Sequence, residues 1–116
     1  MGRHALLLGT ATYHADSKLA ALPGVRNDID QLRTVLDTDG DFDSVDAHLD
    51  LPAAHMVKLV EEFYGARRTG DLALFYFSGH GALHADQQSL FLGAVDTDTA
   101  ALHATGFDVD ASSATC

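Results

Sequence analysis

Apolar residues in this chain occur in two alternating patterns, short continuous runs and helically spaced series. The run "HALLLG", residues 4–9, is uninterrupted and ends in a glycine, which is typical of a strand buried on both faces of a parallel sheet. A helically spaced series follows Pro23 and Gly24 and predicts an amphipathic helix with one face in the core. Its apolar positions are Val25, Ile29, Leu32 and Leu36.

The remaining apolar segments continue this alternation. "SVDAHLD", residues 44–50, alternates apolar and polar positions and predicts a half-exposed strand near a sheet edge. A second helix is expected next, with Asp50 as its candidate N-cap and Pro52 in its first turn. "DLALFYF", residues 71–77, is the most continuously apolar segment and predicts the central strand. "SLFLGAVD", residues 89–96, predicts a further strand or hairpin arm.

The order strand, helix, strand, helix, strand indicates right-handed crossover connections. We therefore predict an α/β fold, in which helices cover both faces of an open and mainly parallel sheet. The 116 residues suffice for one domain, and 47% hydrophobic with 21% charged residues is typical of a globular chain with a packed core. After Asp96 the periodicity fades, so we expect the sheet to be incomplete at its C-terminal side.

The charge of the chain limits its partners. It has 17 acidic and 7 basic residues and a formal net charge of −10, which repels phosphate backbones and anionic membrane surfaces but attracts cationic peptides. We therefore expect neither nucleic acid nor a membrane as a partner. Cys116 is the single cysteine, so no internal disulfide is expected. No apolar run approaches the roughly 20 residues that span a bilayer, and we predict a cytoplasmic location.

The stretch "FYFSGHG", residues 75–81, carries the most informative chemistry. His80 stands between Gly79 and Gly81 directly after an apolar strand, at the edge of an α/β sheet where catalytic groups gather. Both glycines can adopt positive φ and let a substrate backbone approach, and a histidine held there can act as a general base near neutral pH. The alternative is a glycine-rich turn with a solvated or structurally hydrogen-bonded histidine.

Four segments together resemble one known family. In chain order they are "HALLLGTATY", "LPGVRNDIDQLRTVL", "GDLALFYFSGHGA" and "SLFLGAVDTD". They resemble the large-subunit half of the caspase-like cysteine peptidases (peptidase C14 type), especially the bacterial caspase homologues and metacaspases, over roughly residues 4–98. The resemblance implies an endopeptidase that uses a Cys-His dyad and cleaves polypeptides after Arg or Lys. Whether this chain alone is active is left open.

The resemblance also implies roles for four residues. His80 matches the histidine that pairs with a cysteine at the end of the next parallel strand, and the N–H of Gly81 matches an oxyanion-hole donor. Asp28 and Ser78 match the residues that line the acidic pocket for the basic side chain in metacaspases. Asp28 has an alternative role as an acid in the first turn of its helix, where it would complement the helix dipole. Ser78 has an alternative role as a hydrogen-bonding turn residue.

The nucleophile departs from the family pattern. Cys116 follows His80 by fewer than the about 50 residues typical of the family, and the preceding "DASSAT" contains no strand-forming run. We therefore do not expect Cys116 to be the nucleophile. Residues 1–116 are expected to form the large-subunit-like half of a caspase-like domain, without the strand that carries the cysteine and without the small-subunit half. Expected partners are a polypeptide substrate and either a second copy or the missing half.

Metal binding and two other functions remain as alternatives. "DTDGDFD", residues 37–43, begins a stretch with Phe42 and His48 at the sixth and twelfth positions, where a helix-loop calcium site has Gly and Glu, so we predict a solvated turn and no metal ligands. "DTD", residues 96–98, matches a segment of many caspase homologues, and some metacaspases are calcium-activated, so calcium is left open without assigned ligands. The main rival is an inactive caspase-like scaffold or protein-interaction module. A nucleotide-binding domain ranks third, because no phosphate-binding glycine loop is present.

Overall fold

The computed structural model describes residues 2–13, 19–83, 90–97 and 107–108. In these segments the chain forms two helices and two small sheets. The elements are β1 (Arg3–Gly9), α1 (Gly24–Asp39), β2 (Ser44–Leu49), α2 (Ala53–Gly65), β3 (Leu72–Ser78), β4 (Gly81–Leu83), β5 (Leu90–Leu92) and β6 (Phe107–Asp108). Neither helix within the described segments is long and apolar enough to cross a membrane.

The first sheet is parallel and has the strand order β2-β1-β3. Strand β1 alternates its buried side chains between the two faces of this sheet. Leu6 and Leu8 join the core formed with α2, whereas Ala5 and Leu7 join the core formed with α1. Helices therefore cover both faces, and the predicted α/β architecture with a parallel sheet is confirmed.

The described sheet has β1, and not the third strand, in its middle. Residues 71–77 were expected to form the central strand, but within the described sheet β1 lies in the middle and β3 beside it. The five residues from Ala5 to Gly9 are all buried, while β3 is half-buried along most of its length. A continuously apolar run indicates burial on both faces of a sheet, but it does not determine how many edges of the strand are paired.

The second sheet is antiparallel, with the order β4-β5-β6. Gly81 lies opposite Leu92, and β4 follows β3 after only Gly79 and His80. The prediction of a strand or hairpin arm within residues 89–96 is confirmed by β5. Strand β2 lies at the edge of the first sheet, as its alternating pattern predicted.

The N-terminus of α2 is stabilised by a different acid from the one expected. Asp50 was the candidate cap, but it has a φ of 56° and its Oδ1 accepts hydrogen bonds from the N–H groups of Ala11 and Thr12. The first residue of α2, Ala53, instead donates its N–H to Asp96 Oδ1 at 2.9 Å. A carboxylate from the segment after β5 therefore satisfies one of the unpaired N–H groups at this helix end.

Asp71 connects the entrances of β1 and β3, at the edge opposite to the carboxyl ends of the strands. Its Oδ2 accepts a hydrogen bond from the Arg68 N–H at 2.9 Å, and its Oδ1 accepts one from the Gly2 N–H at 2.8 Å. The Leu72 N–H donates in turn to the Gly2 carbonyl at 2.8 Å. The bonds from Arg68 and Gly2 hold the pKa of the Asp71 carboxyl below its ordinary value.

We predict that Asp71 makes the stability of the fold sensitive to acid. Because the folded state lowers the pKa of Asp71, its contribution is present above the ordinary aspartate value of about 4 and is lost as the pH falls through the lowered value. Asp71→Asn should lower the urea midpoint at pH 7 and flatten the decline of that midpoint below pH 4. Asp46→Asn, on the exposed face of β2, is the control. Equal midpoints for the Asp71 and Asp46 variants would contradict the prediction.

Candidate functional site

The carboxyl ends of β1 and β3 lie side by side. Gly9 is opposite Ser78 in the parallel register, and the Thr10 N–H donates to the Ser78 carbonyl at 3.0 Å. The loop that leaves β1 and the turn that leaves β3 therefore begin together. This places His80 at the carboxyl edge of the parallel sheet, where its sequence position predicted it.

The imidazole of His80 is held by a backbone carbonyl. Its Nε2 lies 2.8 Å from the Ala20 carbonyl oxygen, in the segment before α1. Because a carbonyl only accepts hydrogen bonds, Nε2 must carry the proton, and in the neutral ring Nδ1 is then the nitrogen with the lone pair. His80 is half-buried, so the ring lies at the surface of the carboxyl edge and not in the core.

The backbone of His80 is held by a tyrosine from the other loop. The His80 N–H donates to Tyr13 Oη at 2.8 Å, and the Tyr13 hydroxyl donates to the Thr10 carbonyl at 2.9 Å. The Tyr13 and His80 rings also contact each other, with centroids 5.1 Å apart and planes inclined at 58°. Tyr13 therefore touches both the main chain and the side chain of His80.

Two glycines provide the space for the Tyr13 side chain. A Cβ on Gly79 would lie 2.9 Å from Tyr13 Oη and 2.8 Å from Phe77 Cζ, and a Cβ on Gly93 would lie 2.9 Å from Tyr13 Cε1. Gly79 has a φ of 157°, as expected for a glycine-dependent turn. The same expectation for Gly81 was wrong: Gly81 has no positive φ and begins strand β4.

The N–H of Gly81 points away from the strand paired with β4. The His80 carbonyl accepts a hydrogen bond from the Gly93 N–H at 2.8 Å. Gly81 and Leu92 form the next pair of the antiparallel ladder. Hydrogen-bonded and non-hydrogen-bonded pairs alternate in such a ladder, so the N–H of Gly81 is directed away from β5. Gly81 is also exposed.

No hydrogen bond joins Asp28 and Ser78 in the described segments. Asp28 is exposed in the second turn of α1, and the first turn contains no acid. The alternative of a first-turn acid was therefore wrong. Ser78 is half-buried and ends β3. A Cβ on Gly9 would lie within 3.0 Å of both Val25 Cγ1 and Ile29 Cγ1, so the start of α1 packs directly over the end of β1.

The environment of Tyr13 disfavours ionisation of its phenol. Burial raises the pKa of the Tyr13 phenol, the hydrogen bond from the His80 N–H offsets part of this rise, and the negative charge of Asp50 adds to it. The carboxylate of Asp50 is fixed nearby, with Oδ1 2.8 Å from the Ala11 nitrogen. A neutral phenol retains the proton that it donates to Thr10.

Sequence reasoning missed the residues that hold the histidine. Tyr13 lies within "HALLLGTATY", but its partner His80 is 67 positions away, and no local pattern connects them. Ala20 acts through its main chain, so its side chain gives no signal. Gly93 was visible as a glycine within an apolar segment, which often marks a close approach of another group.

The described residues do not contain a cluster of three or more His, Cys, Asp or Glu side chains that could hold a metal ion. Of the "DTD" segment, Asp96 accepts the hydrogen bond from the N-terminus of α2, and Thr97 Oγ1 accepts one from the Ala94 N–H at 2.7 Å. Asp98 and Cys116 lie outside the described residues.

Comparison with known proteins identifies the family. No curated protein matches the chain. The caspase-domain family model, Peptidase C14, matches residues 2–111, which include every described segment and the turn that carries His80. The chain therefore belongs to the caspase-domain family of cysteine peptidases, a family whose substrates are polypeptides.

Proposed function

We propose that this chain carries the histidine half of a Cys-His endopeptidase site that cleaves polypeptides after Arg or Lys, as metacaspases do. The observation that carries the proposal is the orientation of His80. The Ala20 carbonyl holds the Nε2 proton at 2.8 Å, so the neutral ring presents Nδ1 as the proton acceptor.

In the proposed reaction, Nδ1 of His80 takes the proton from a cysteine thiol, and the thiolate attacks the carbonyl carbon of the scissile peptide bond. The imidazolium keeps its Nε2 bond to the Ala20 carbonyl, whose oxygen stabilises the positive charge. When the tetrahedral intermediate collapses, the leaving amine takes the proton from Nδ1. Water then hydrolyses the acyl-enzyme and regenerates the thiol.

The cysteine of this reaction is proposed to come from a strand adjoining β3, not from Cys116. Strand β3 pairs with β1 on one side, and within the described sheet its other edge has no strand beside it. A parallel strand on that edge would end beside the turn of residues 79–80, because carboxyl ends of parallel strands meet at one edge of a sheet. We propose that residues 1–116 form the large-subunit-like half of the domain and that this strand completes it.

Gly81 is proposed to stabilise the oxyanion of the tetrahedral intermediate. Its N–H is directed away from β5 by the register of the β4–β5 ladder, and the residue is exposed. Gly81 directly follows His80, and we propose that the His80 imidazole and the Gly81 N–H act on the same substrate carbonyl. Loss of one such donor typically lowers kcat by roughly 10²–10³-fold.

We predict that His80→Ala lowers kcat/KM for an Arg-blocked reporter peptide by roughly 10²–10⁴-fold, the usual contribution of a general acid–base group. The measurement is made on the protein that also contains the strand with the nucleophilic cysteine. His55→Ala, an exposed histidine of α2, is the control and should keep wild-type activity. Circular dichroism should be unchanged in both variants. If the His80 variant is folded and still cleaves the reporter at the wild-type rate, His80 is not the base.

Asp28 and Ser78 are proposed to line the pocket for the basic side chain. Asp28 is exposed and, within the described segments, makes no ion pair, so its carboxylate can bind a guanidinium or ammonium group. The net charge of −10 also favours approach of cationic peptides. Ser78 is the last residue of β3, two positions before His80.

For this pocket we predict that Asp28→Asn lowers kcat/KM for cleavage after Arg by about 10–100-fold, which corresponds to about 1.5–3 kcal/mol for a charge-assisted hydrogen bond. Cleavage after an uncharged residue should change less than threefold. Asp30→Asn, two positions along the same helix and also exposed, is the matched control. An unchanged ratio of Arg to neutral cleavage in the Asp28 variant would remove Asp28 from the pocket.

A second candidate function is a scaffold without peptidase activity, favoured by the same edge of β3, which has no strand beside it within the described sheet. Unpaired strand edges promote association with a second chain. A peptide-based thiol probe distinguishes the two functions, since a catalytic cysteine has a low pKa and reacts rapidly. We expect the full-length protein to be labelled, and labelling should fall in His80→Ala. An unlabelled protein that dimerises with increasing concentration would support the scaffold.

A further inference from the structure

We infer that Tyr13 is a positioning residue for the active site: its hydroxyl fixes the main chain of His80 and thereby orients both the imidazole and the Gly81 N–H. The inference rests on the proposed peptidase function. Tyr13 contacts neither the cysteine nor the peptide substrate in this role. It acts only through His80.

Three consecutive hydrogen bonds join the loop after β1 to the turn after β3. The Thr10 N–H donates to the Ser78 carbonyl, the Tyr13 hydroxyl donates to the Thr10 carbonyl, and the His80 N–H donates to the Tyr13 oxygen. Each bond is 2.8–3.0 Å long. Tyr13 Oη is the one atom of this chain of bonds that both donates and accepts, and phenylalanine cannot replace it.

The main chain of His80 is fixed on both sides as a result. Its N–H binds Tyr13, and its carbonyl accepts the N–H of Gly93 at 2.8 Å. The peptide bond between His80 and Gly81 contains that carbonyl and the N–H of Gly81. Its orientation determines where the proposed oxyanion donor points, and the Cα–Cβ direction of His80 determines where Nδ1 lies.

The residues around position 13 leave space for a tyrosine side chain. The ring occupies space where Gly79 and Gly93 have no side chain, and a Cβ at either position would lie 2.9 Å from Tyr13. Two glycines from different loops therefore accommodate one phenol. A residue that served only to fill the core would not need both close approaches and both hydrogen bonds.

Tyr13→Phe separates the hydroxyl from the ring, because phenylalanine preserves the contact with the His80 ring. A displacement of about 1 Å at a catalytic group can cost roughly 10²-fold in rate. We expect kcat for the Arg-blocked peptide to fall about 10–100-fold, with KM within twofold of wild type. Tyr76→Phe, which removes a hydroxyl from half-buried β3, is the control and should leave kcat within twofold.

A second readout does not depend on activity. Hydrogen exchange of the His80 amide, followed by NMR, should be slow in wild type and in Tyr76→Phe but at least tenfold faster in Tyr13→Phe, since the amide loses its acceptor. Tyr13→Met provides a second variant, because it removes the acceptor oxygen but keeps a flexible apolar side chain that can fill the space; it should accelerate the same exchange and lower kcat. If Tyr13→Phe fails to fold by circular dichroism, the Tyr13→Met variant decides.

These readouts separate the failure of this inference from the failure of the proposed function. If the wild-type protein cleaves no peptide, the peptidase proposal fails, and the His80 exchange rate alone decides the role of Tyr13. Unchanged exchange would then overturn the inference. If the wild-type protein is active, an unchanged kcat in Tyr13→Phe, or a loss that appears only in KM, overturns it.

Discussion

The register of β1 against β3 is the constraint on which the candidate site depends. Because Gly9 lies opposite Ser78, the Thr10 nitrogen lies 3.0 Å from the Ser78 carbonyl oxygen. The loop after β1 and the turn after β3 both begin at this hydrogen bond. Tyr13 lies three residues after Thr10 and His80 lies two residues after Ser78, and these short lengths bring the two side chains together. A shift of one residue would turn the side chains of β1 to the opposite faces of the sheet and would separate the phenol from the histidine main chain.

The alternating burial of β1 explains why this register is well defined. Leu6 and Leu8 contact the core of α2, whereas Ala5 and Leu7 contact the core of α1. Each face is apolar and covered, so a slipped register would exchange small for large side chains against both helices. The end of β1 is equally restricted, since a Cβ on Gly9 would collide with side chains of α1 and β2. The cores on both faces thus position the candidate site at the carboxyl edge.

Local sequence patterns predicted the helices and strands, whereas contacts between distant residues determined the strand order and the partners of individual side chains. The helices and the strands β1, β2 and β3 follow from periodicity, and His80 follows from its turn and its family resemblance. In the described sheet β1 and not β3 lies in the middle, which hydrophobicity does not indicate because it reports the faces of a strand and not its paired edges. Asp50 was assigned to the wrong N–H groups, because its actual partners lie 38 and 39 positions away. Tyr13 and the Ala20 carbonyl could not be predicted for the same reason: the fold brings them to His80, and neither has a local signal.

Two groups can be distinguished among the described carboxylates. Asp50, Asp71 and Asp96 accept backbone N–H groups and connect segments that are far apart in the chain. These carboxylates are already used by the fold, and a substrate cation would have to compete with their hydrogen bonds. Asp28 is exposed on the helix that packs over the end of β1, and within the described segments no ion pair neutralises it. A high negative charge therefore does not make every acid a substrate ligand. The carboxylate proposed to recognise a basic side chain is one that the fold leaves exposed on α1, and not one that it uses to accept backbone N–H groups.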